Sequence, residues 1–272
     1  MSKKVSIIMG IYNCEETIEE AIDSIISQTY TEWDLILCDD NSTDRTYEIA
    51  NQYSKKYPDK IKLIRNKANM KLAATLNRCL ECATGDYIAR MDSDDKSMPN
   101  RLEKQVNFLI QNPEYDLVGS QMTIFSGSDI LGKKSIIELP DRYTQRFSNP
   151  FAHPTIMARK RVFDILGGYN TSKETQRCED VELWFRFYEY GFKGYNIQET
   201  LYQYREDRDA LNKRKLKHGI DCAKIYYQGF KRLNYPKRYY IYILKPIISS
   251  CINKSFLQKY QLIKGKRMGG KM

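Results

Sequence analysis

The chain has 272 residues, 42% of them hydrophobic, and a formal net charge of +10 at pH 7. This length can bury one sizeable core, and no apolar run approaches the roughly 18 residues that a membrane-spanning helix requires. The seven cysteines are an odd number without regular spacing, which is typical of reduced thiols and argues against a disulfide-framework protein.

The first 112 residues alternate between short apolar segments and longer amphipathic ones. Ile18, Ile22 and Ile25, for example, recur at the spacing of one helix face, directly after an apolar run near the N-terminus. We predict strands at residues 5–9, 35–38, 61–65 and 87–90 and helices at residues 15–28, 44–57 and 71–83. Regular alternation of strand and helix indicates βαβ units and a parallel sheet, and such sheets bind ligands at the carboxyl ends of their strands.

Three carboxylates follow the fourth predicted strand, in the run Asp92-Ser93-Asp94-Asp95. Carboxylates this close repel one another, so a fold that gathers them needs a cation or hydrogen-bond donors nearby. Mg²⁺ and Mn²⁺ prefer carboxylate oxygens and leave coordination positions for substrate phosphates. The run therefore indicates a divalent metal site. The alternative is that these residues cap a helix that starts near Pro99.

The pattern changes after Pro113. Short β-like segments at residues 115–119, 122–125 and 135–139 are broken by Gly, Ser, Asp and Pro, and residues 181–190 form an amphipathic helical pattern. These segments predict a mixed or antiparallel extension of the sheet, which shapes a second pocket.

The C-terminal segment carries most of the positive charge. Residues 210–272 contain sixteen Lys or Arg and one acid, Asp221, whereas residues 1–209 contain 28 basic and 33 acidic side chains. The apolar spacing within residues 216–230 predicts one helix, and residues 239–244 predict a second. Basic helices with interleaved tyrosines are typical of segments that bind an anionic membrane surface. The alternative is a helical pair that packs on the rest of the protein. Nucleic acid is not an expected partner, because no recognised nucleic-acid module accompanies the charge.

Six segments of the chain resemble, in order, the motifs of the family 2 glycosyltransferases, which have the GT-A fold. They are Val5-Ser6-Ile7-Ile8-Met9-Gly10-Ile11-Tyr12-Asn13, Gln28-Thr29-Tyr30, Asp39-Asp40-Asn41-Ser42-Thr43-Asp44, Ala83-Thr84-Gly85-Asp86-Tyr87-Ile88, Asp92-Ser93-Asp94-Asp95, and Leu166-Gly167-Gly168-Tyr169 followed by Glu179-Asp180. The resemblance covers about residues 3–205. It implies an α/β fold with a Rossmann-like, mostly parallel sheet and a mixed or antiparallel extension. The C-terminal helical tail, which is predicted from its apolar spacing, lies outside the resemblance.

The resemblance also implies a division of the chain. A GT-A catalytic domain is expected at residues 1–206, with a nucleotide-binding half at 1–112 and an acceptor-binding half at 113–206. A basic helical C-terminal extension is expected at 207–272. Members of this family transfer a sugar from a nucleotide diphosphate donor with inversion at the anomeric carbon, usually with Mn²⁺ or Mg²⁺.

Carried over to matching positions, the resemblance assigns donor contacts to several residues. Tyr12 would pack on the nucleobase, and Asp40 would accept a hydrogen bond from it; the alternative for Asp40 is a helix cap. Asp92 would reach the ribose, and Asp94 would coordinate the metal that bridges the two phosphates. Lys71 is a candidate to neutralise phosphate, with a solvated helix lysine as the alternative.

The resemblance places the acceptor chemistry near the helix predicted at residues 181–190. Asp180 matches the family's catalytic base, with helix capping as the alternative role, and Glu179 is its neighbouring acid. His153 is a candidate for the metal or acceptor site, although a lone histidine is commonly a structural hydrogen-bonding residue. Trp184 is a candidate for the acceptor pocket, with core packing as the alternative.

The resulting hypothesis is an inverting, metal-dependent glycosyltransferase of the bacterial surface-polysaccharide type. It would add a single sugar to a lipid-linked or polysaccharide acceptor, because the Gln-x-x-Arg-Trp motif of processive synthases is absent. By family habit the donor base is uridine, with thymidine as the alternative. We expect a cytoplasmic location, peripheral at the inner face of the membrane. The alternative function is a catalytically inactive nucleotide-binding or scaffold protein with the same fold.

Overall fold

The computed structural model describes residues 3–206 and 216–251, and it contains one nine-stranded sheet within these ranges. The strands are Val5–Ile11 (β1), Trp33–Asp39 (β2), Ile61–Arg65 (β3), Tyr87–Arg90 (β4), Lys96–Ser97 (β5), Leu117–Ser126 (β6), Asp129–Lys134 (β7), Met157–Arg159 (β8) and Gly194–Arg205 (β9). Their order across the sheet is β3-β2-β1-β4-β8-β6-β9-β5, and β7 pairs with β6.

Eight α-helices accompany the sheet in the described ranges. They are Ile18–Ile26 (α1), Thr46–Lys56 (α2), Leu72–Cys82 (α3), Arg101–Gln111 (α4), Lys160–Leu166 (α5), Glu179–Glu189 (α6), Leu216–Arg232 (α7) and Lys245–Cys251 (α8). A 3₁₀ helix, Lys237–Leu244, leads directly into α8.

The N-terminal half forms the predicted parallel sheet. β1 pairs in parallel with β2 on one side and with β4 on the other, and β2 pairs in parallel with β3. Apolar side chains on both faces of β1, such as Ile7 and Ile8, are fully buried because helices cover both sides. The parallel arrangement predicted for this half is therefore confirmed, and the carboxyl ends of β1, β2 and β4 lie along one edge of the sheet.

The extension beyond residue 113 is mixed, as predicted. β8 runs antiparallel to both β4 and β6, whereas β9 runs parallel to β6. The strand predicted at residues 135–139 is wrong, since this segment is irregular; the hairpin partner of β6 is β7, at Asp129–Lys134. The Gln121 side chain explains the difference. It accepts a hydrogen bond from the Ile136 N–H at 2.6 Å and donates one to the Ile136 carbonyl at 2.9 Å, in place of a strand ladder.

The C-terminal helices pack against α6. Phe185 of α6 contacts the rings of Tyr226 and Phe230 on α7, with centroid separations of 5.6 and 5.9 Å. Gly229 of α7 lies directly against the Phe185 ring, where a side chain would not fit. The two predicted tail helices correspond to α7 and to the 3₁₀ helix. The predicted extension at 207–272 lies in part outside the described residues. No helix that the structure describes is long and apolar enough to span a membrane.

Candidate active site

The three carboxylates of the run after β4 converge at the edge of the sheet. Asp92, Asp94 and Asp95 each offer an oxygen atom, and these atoms lie within 4.8 Å of one another. Asp95 is almost completely buried, and its Oδ1 accepts a 2.7 Å hydrogen bond from the backbone N–H of Arg205. Its Oδ2 is buried without a hydrogen-bond partner among the described residues. These residues therefore do not cap α4, which begins six residues later.

Arg90 neutralises the first of these carboxylates. The Arg90 side chain is 3% exposed, and its guanidinium binds both oxygens of Asp92, with Nη1 at 2.6 Å from Oδ2. This two-point contact fixes the orientation of the Asp92 side chain. Burial raises the pKa of Asp94, Glu179 and Asp180, and the positive charge of Arg90 limits that rise at all three carboxyl groups.

The other two carboxylates are not compensated in this way. Burial, and then the neighbouring Asp92 charge, raises the pKa of Asp94 to about 6 and that of Asp95 to about 8. A hard divalent cation would offset both the repulsion and the unpaired Asp95 oxygen. The donor set consists of carboxylate oxygens, which suits Mg²⁺ or Mn²⁺. The residues present therefore fit such an ion, with Asp94 as the partly exposed ligand.

Tyr12, Asp40 and Lys71 line one cavity of about 230 Å³ at the carboxyl ends of β1 and β2, which we call the Tyr12 cavity. The Tyr12 ring is 47% exposed. Asp40 is buried, and it accepts hydrogen bonds from the Met70 and Lys71 N–H groups at 2.7 and 2.9 Å and from the Asn66 amide at 2.8 Å. Asp40 thus binds the turn that leads into α3, and it does not cap α2.

Lys71 holds an unusual backbone conformation at this cavity. Its φ of 73° is in the left-handed region, which non-glycine residues rarely adopt, and its side chain is exposed. The hydrogen bonds to Asp40 stabilise this turn immediately before α3 begins. Backbone strain of this kind is common at ligand sites, so the turn is consistent with a binding role.

Glu179 and Asp180 begin α6, on the acceptor-binding half predicted from the sequence. The Asp180 carboxylate accepts a 2.7 Å hydrogen bond from the Asn149 side-chain amide and a 2.8 Å bond from the Val181 N–H. Burial raises the pKa of Asp180 above its usual value. Burial, and then the Asp180 charge, raises the pKa of Glu179 to about 7. A carboxylate with a raised pKa is a better proton acceptor, as a general base requires.

Two further cavities join this helix start to the Tyr12 cavity. The Glu179 cavity, of about 410 Å³, is lined by Lys71 and Glu179 and shares the Lys71 wall with the Tyr12 cavity. The Asp180 cavity, of about 430 Å³, shares Arg177 and His218 with the Glu179 cavity. Three of the sequence-predicted donor residues, Tyr12, Asp40 and Lys71, and the predicted base Asp180 therefore line a series of three adjoining cavities, whereas Asp92 and Asp94 line none of the three.

His153 and Trp184 lie in the core behind the site. His153 is 8% exposed, and its Nε2 is 2.8 Å from the Tyr169 hydroxyl. Burial, followed by the Arg90 charge, holds the His153 pKa well below its usual range, so the ring is neutral. Trp184 is fully buried against Phe151 and His153. The structure thus brings neither side chain to the three cavities.

Several residues of the site received no role from sequence reasoning. Asn149 follows no motif, and His218 and Lys245 of the Asp180 cavity lie in the C-terminal segment, beyond the family resemblance. A role for Arg90 could have been predicted from the sequence, because a cation that directly precedes an acidic run at the end of a buried strand has carboxylates within reach. The other three are brought to the site by loop and helix packing, which no local pattern encodes.

Comparisons with known proteins agree with this geometry. The profile described as Glycosyl transferase family 2 matches residues 6–166. EpsE of Bacillus subtilis (strain 168), whose name assigns it provisionally as a glycosyltransferase, is 50% identical over 257 residues, covering 94% of this chain and 92% of EpsE. The Escherichia coli UDP-Glc:alpha-D-GlcNAc-diphosphoundecaprenol beta-1,3-glucosyltransferase WfgD is 38% identical over 129 residues, covering 47% of this chain and 49% of WfgD.

A solved structure shares the fold. The mannosyltransferase PcManGT from Pyrobaculum calidifontis, solved in complex with GDP-Man and Mn²⁺, superimposes with a TM-score of 0.65 at 18% identity. The alignment covers 92% of this chain and 73% of PcManGT. The fold expected from the sequence motifs, GT-A, is therefore confirmed.

Proposed function

The chain belongs to glycosyl transferase family 2 and is a glycosyltransferase with the GT-A fold, and from this premise we propose the details of its reaction. The enzyme moves a single sugar from a nucleotide diphosphate sugar to a lipid-linked or polysaccharide acceptor in surface glycan assembly, with inversion at the anomeric carbon. Asp94 contributes to a divalent metal site, and Asp180 is the general base.

The observation that carries this proposal is the position of Arg90. One buried guanidinium binds Asp92, and its charge opposes the rise that burial causes in the pKa of both Asp94 and Asp180, which supports treating the acidic cluster and the start of α6 as one electrostatic site. An inverting transfer needs a leaving-group site and a base on opposite sides of the sugar. We propose that the acidic cluster supplies the leaving-group site and that Asp180 supplies the base.

The Tyr12 cavity suits the nucleoside of the donor. The half-exposed Tyr12 ring offers a surface on which a base can stack, and Asp40 keeps one carboxylate edge at the same cavity. Exposed Lys71 lies between this cavity and the Glu179 cavity, where it can approach the diphosphate. We propose UDP-sugar as the donor class, which the name of WfgD supports, since that relative uses UDP-Glc.

A bound Mn²⁺ or Mg²⁺ would stabilise the negative charge that develops on the departing diphosphate. Asp94 and Asp95 would hold the ion, and Arg90 keeps Asp92 oriented beside them. The proposal of a metal draws support from PcManGT, whose structure contains Mn²⁺. On the acceptor side, Asp180 would take the proton of the attacking hydroxyl, with Asn149 holding the carboxylate in place.

The proposed acceptor and location follow from two further observations. WfgD acts, by its name, on a diphosphoundecaprenol-linked sugar, which supports a lipid-linked acceptor. Ile241, Leu244 and Ile248 are 70%, 50% and 54% exposed along the 3₁₀ helix and α8, and we call them the apolar ridge. An apolar ridge among basic residues suits the surface of an anionic membrane, at the cytoplasmic face.

Hydrolysis of a panel of nucleotide diphosphate sugars in the presence of Mn²⁺ tests this function. We expect release of nucleotide diphosphate from at least one donor, and a fall of at least about a hundredfold for Asp94→Asn, because the charge acts on the leaving group. The exposed residue Asp129 on β7 provides a matched control, Asp129→Asn, expected to retain full activity. A full rate in excess chelator would refute the metal, and no release from any donor would refute the function.

A further inference from the structure

Residues of the predicted acceptor-binding half (113–206) and residues of the C-terminal helices together line the Asp180 cavity. Asn149, Arg177 and Asp180 line it from one side, and His218 of α7 and Lys245 of α8 line it from the other. Its volume of about 430 Å³ lies within the range of about 300 to 1,000 Å³ that is typical of small-molecule sites. The cavity therefore has room for more than the hydroxyl group that meets Asp180.

The charge of the cavity favours an anionic ligand. Arg177, His218 and Lys245 face Asp180, which is the one acid among the described residues that line it. A neutral sugar hydroxyl has no need of this excess of cationic and N–H donor groups. Phosphate oxygens, in contrast, bind to such groups through charge-assisted hydrogen bonds.

Lys245 is held at this cavity by a hydrogen bond that uses one N–H donor of its ammonium group. Its ammonium group donates to the carbonyl of Phe147, two residues before Asn149, and an ammonium group has three N–H donors. Within residues 3–206 and 216–251 this is the one hydrogen bond of the group, which leaves two donors toward a ligand. The Phe147 ring also contacts Tyr242 at a centroid distance of 5.0 Å, which fixes the loop of Asn149 against the start of α8.

The apolar ridge lies on the same stretch of chain, formed by the 3₁₀ helix and α8. Leu244 and Ile248 are exposed, whereas Lys245, Ser249 and Ser250 line the Asp180 cavity. A molecule with a lipid chain and an anionic head could thus keep its chain along the ridge while its head lies in the cavity. Ridge and cavity residues alternate along this stretch, since Leu244 and Ile248 of the ridge adjoin Lys245 and Ser249 of the cavity.

We propose that Lys245 and His218 bind the phosphate groups of a lipid-linked acceptor and so position the acceptor sugar at Asp180. This inference rests on the proposed function, which it extends from a reaction to a substrate class. It makes the C-terminal helices part of the acceptor site. Lys245 and His218 determine specificity, whereas Asp180 performs the proton transfer.

Binding of geranyl diphosphate to the full chain, measured by calorimetry in the presence of EDTA, tests the proposal without turnover. Lys245→Met and His218→Ala should each weaken binding by at least about tenfold, because each removes a charge-assisted or N–H donor. Lys245→Arg should restore most of the affinity. The exposed Lys231 on α7 does not line the cavity, so Lys231→Met is the matched control, expected within about twofold of the unchanged chain.

Geraniol, which has no diphosphate, and inorganic pyrophosphate, which has no lipid chain, test the two ends of the ligand one at a time. The Lys245→Met variant should bind geraniol as well as the unchanged chain does, and pyrophosphate should bind more weakly than geranyl diphosphate. The phosphate site would be overturned if Lys245→Met bound geranyl diphosphate as tightly as the unchanged chain does. It would also be overturned if the variant lost as much affinity for geraniol as for geranyl diphosphate. Pyrophosphate that binds as tightly as geranyl diphosphate would overturn the lipid carrier. Because these readouts need neither donor nor metal, they are independent of the nucleotide-sugar assay.

Discussion

The side-chain amide of Asn149 donates a 2.7 Å hydrogen bond to Oδ2 of Asp180, from a loop that is 31 residues away in sequence. The other carboxylate oxygen accepts the N–H of Val181, at the start of α6. Helix and loop thus each hold one oxygen of the group that we propose as the base. One contact within its own helix and one from outside it thus orient the carboxylate that lines the Asp180 cavity.

Replacing Asn149 with Ala should slow turnover without weakening donor binding. We expect kcat to fall by about tenfold, since an orienting contact of a reacting group typically has effects of this size. The hydrogen bond favours the ionised form, so its loss should also shift the acidic limb of the kcat profile to higher pH. Asn107→Ala, at an exposed position of α4, is the control. An unchanged pH profile in Asn149→Ala would contradict a positioning role.

Glu179 should make the stability of the protein depend on pH. Its pKa is about 7 in the folded chain because of burial and the Asp180 charge, whereas an unfolded glutamate has a pKa of about 4.3. The folded state therefore binds this proton more tightly, and the stabilisation is lost as the pH rises between these two values. Glu179→Gln should raise the free energy of unfolding at pH 8 by on the order of 1 to 3 kcal/mol, after allowance for solvent screening.

At pH 4.5 the same substitution should change the free energy of unfolding very little, because Glu179 is then protonated in the folded chain. Urea denaturation at the two pH values measures the difference. Glu174→Gln, at an exposed position of the preceding segment, should have no comparable effect at either pH. An equal stabilisation by Glu179→Gln at both pH values would show that ionisation is not its cause.

Gly229→Ala should destabilise the packing of α7 on α6. An added Cβ would overlap the Phe185 ring, which is itself buried, so one of the two helices must move. Overpacking of this kind typically costs about 1 to 3 kcal/mol. Gly132→Ala on β7 is the control, because its Cβ would meet no atom within 4 Å. If both variants unfold at the same temperature, α7 is not packed on α6 in solution.

Much of the sheet was predictable because its strands are buried on both faces. β1, β2 and β4 each contain a continuous apolar run, which is favourable only if both faces of the strand are buried. Such runs are typical of parallel strands that helices cover on both sides. β9 was not predicted, since it contains the polar stretch Gln198-Glu199-Thr200, of which Gln198 and Glu199 are exposed. Its pairing with β6 has an irregular register beside Gln121, which a period-two pattern does not reveal.

The residues of the candidate site also differ in how far the sequence predicts them. Asp92, Asp94 and Asp180 lie at the ends of regular elements, so motif order and element boundaries were enough to select them as candidates. Asn149 and Lys245 act across long sequence separations, through a loop and a short helix that only tertiary packing brings to Asp180. Trp184 resembled a pocket residue in sequence, but the helix turns it into the core.

The apolar ridge should control binding to anionic vesicles. A double variant, Leu244→Ser with Ile248→Ser, should weaken vesicle binding by at least about tenfold, because it removes apolar side chains from the membrane interface. The pair Ile130→Ser with Leu131→Ser on β7 is a close control, since these residues are 56% and 46% exposed. Added salt should weaken the binding of the unchanged chain, as counterions screen surface charges.

Equal sedimentation of the two double variants with anionic vesicles at low salt would contradict a membrane role for the ridge. The C-terminal helices would then serve the enzyme through packing and the Asp180 cavity alone. The comparison leaves the catalytic residues unchanged, so the outcome is independent of turnover.

The most direct test of the account measures donor affinity and turnover separately in Asp180→Asn and Tyr12→Ala. With Asp180 as the base, Asp180→Asn should keep the nucleotide affinity and lose at least about a hundredfold in kcat, because the group acts in the transition state. Tyr12→Ala should instead weaken nucleotide binding by about tenfold and keep kcat at saturating donor, since stacking on an aromatic ring contributes mainly to binding. The reverse pattern, with donor binding lost and kcat retained in Asp180→Asn, would place Asp180 in the nucleotide site and contradict its role as the base.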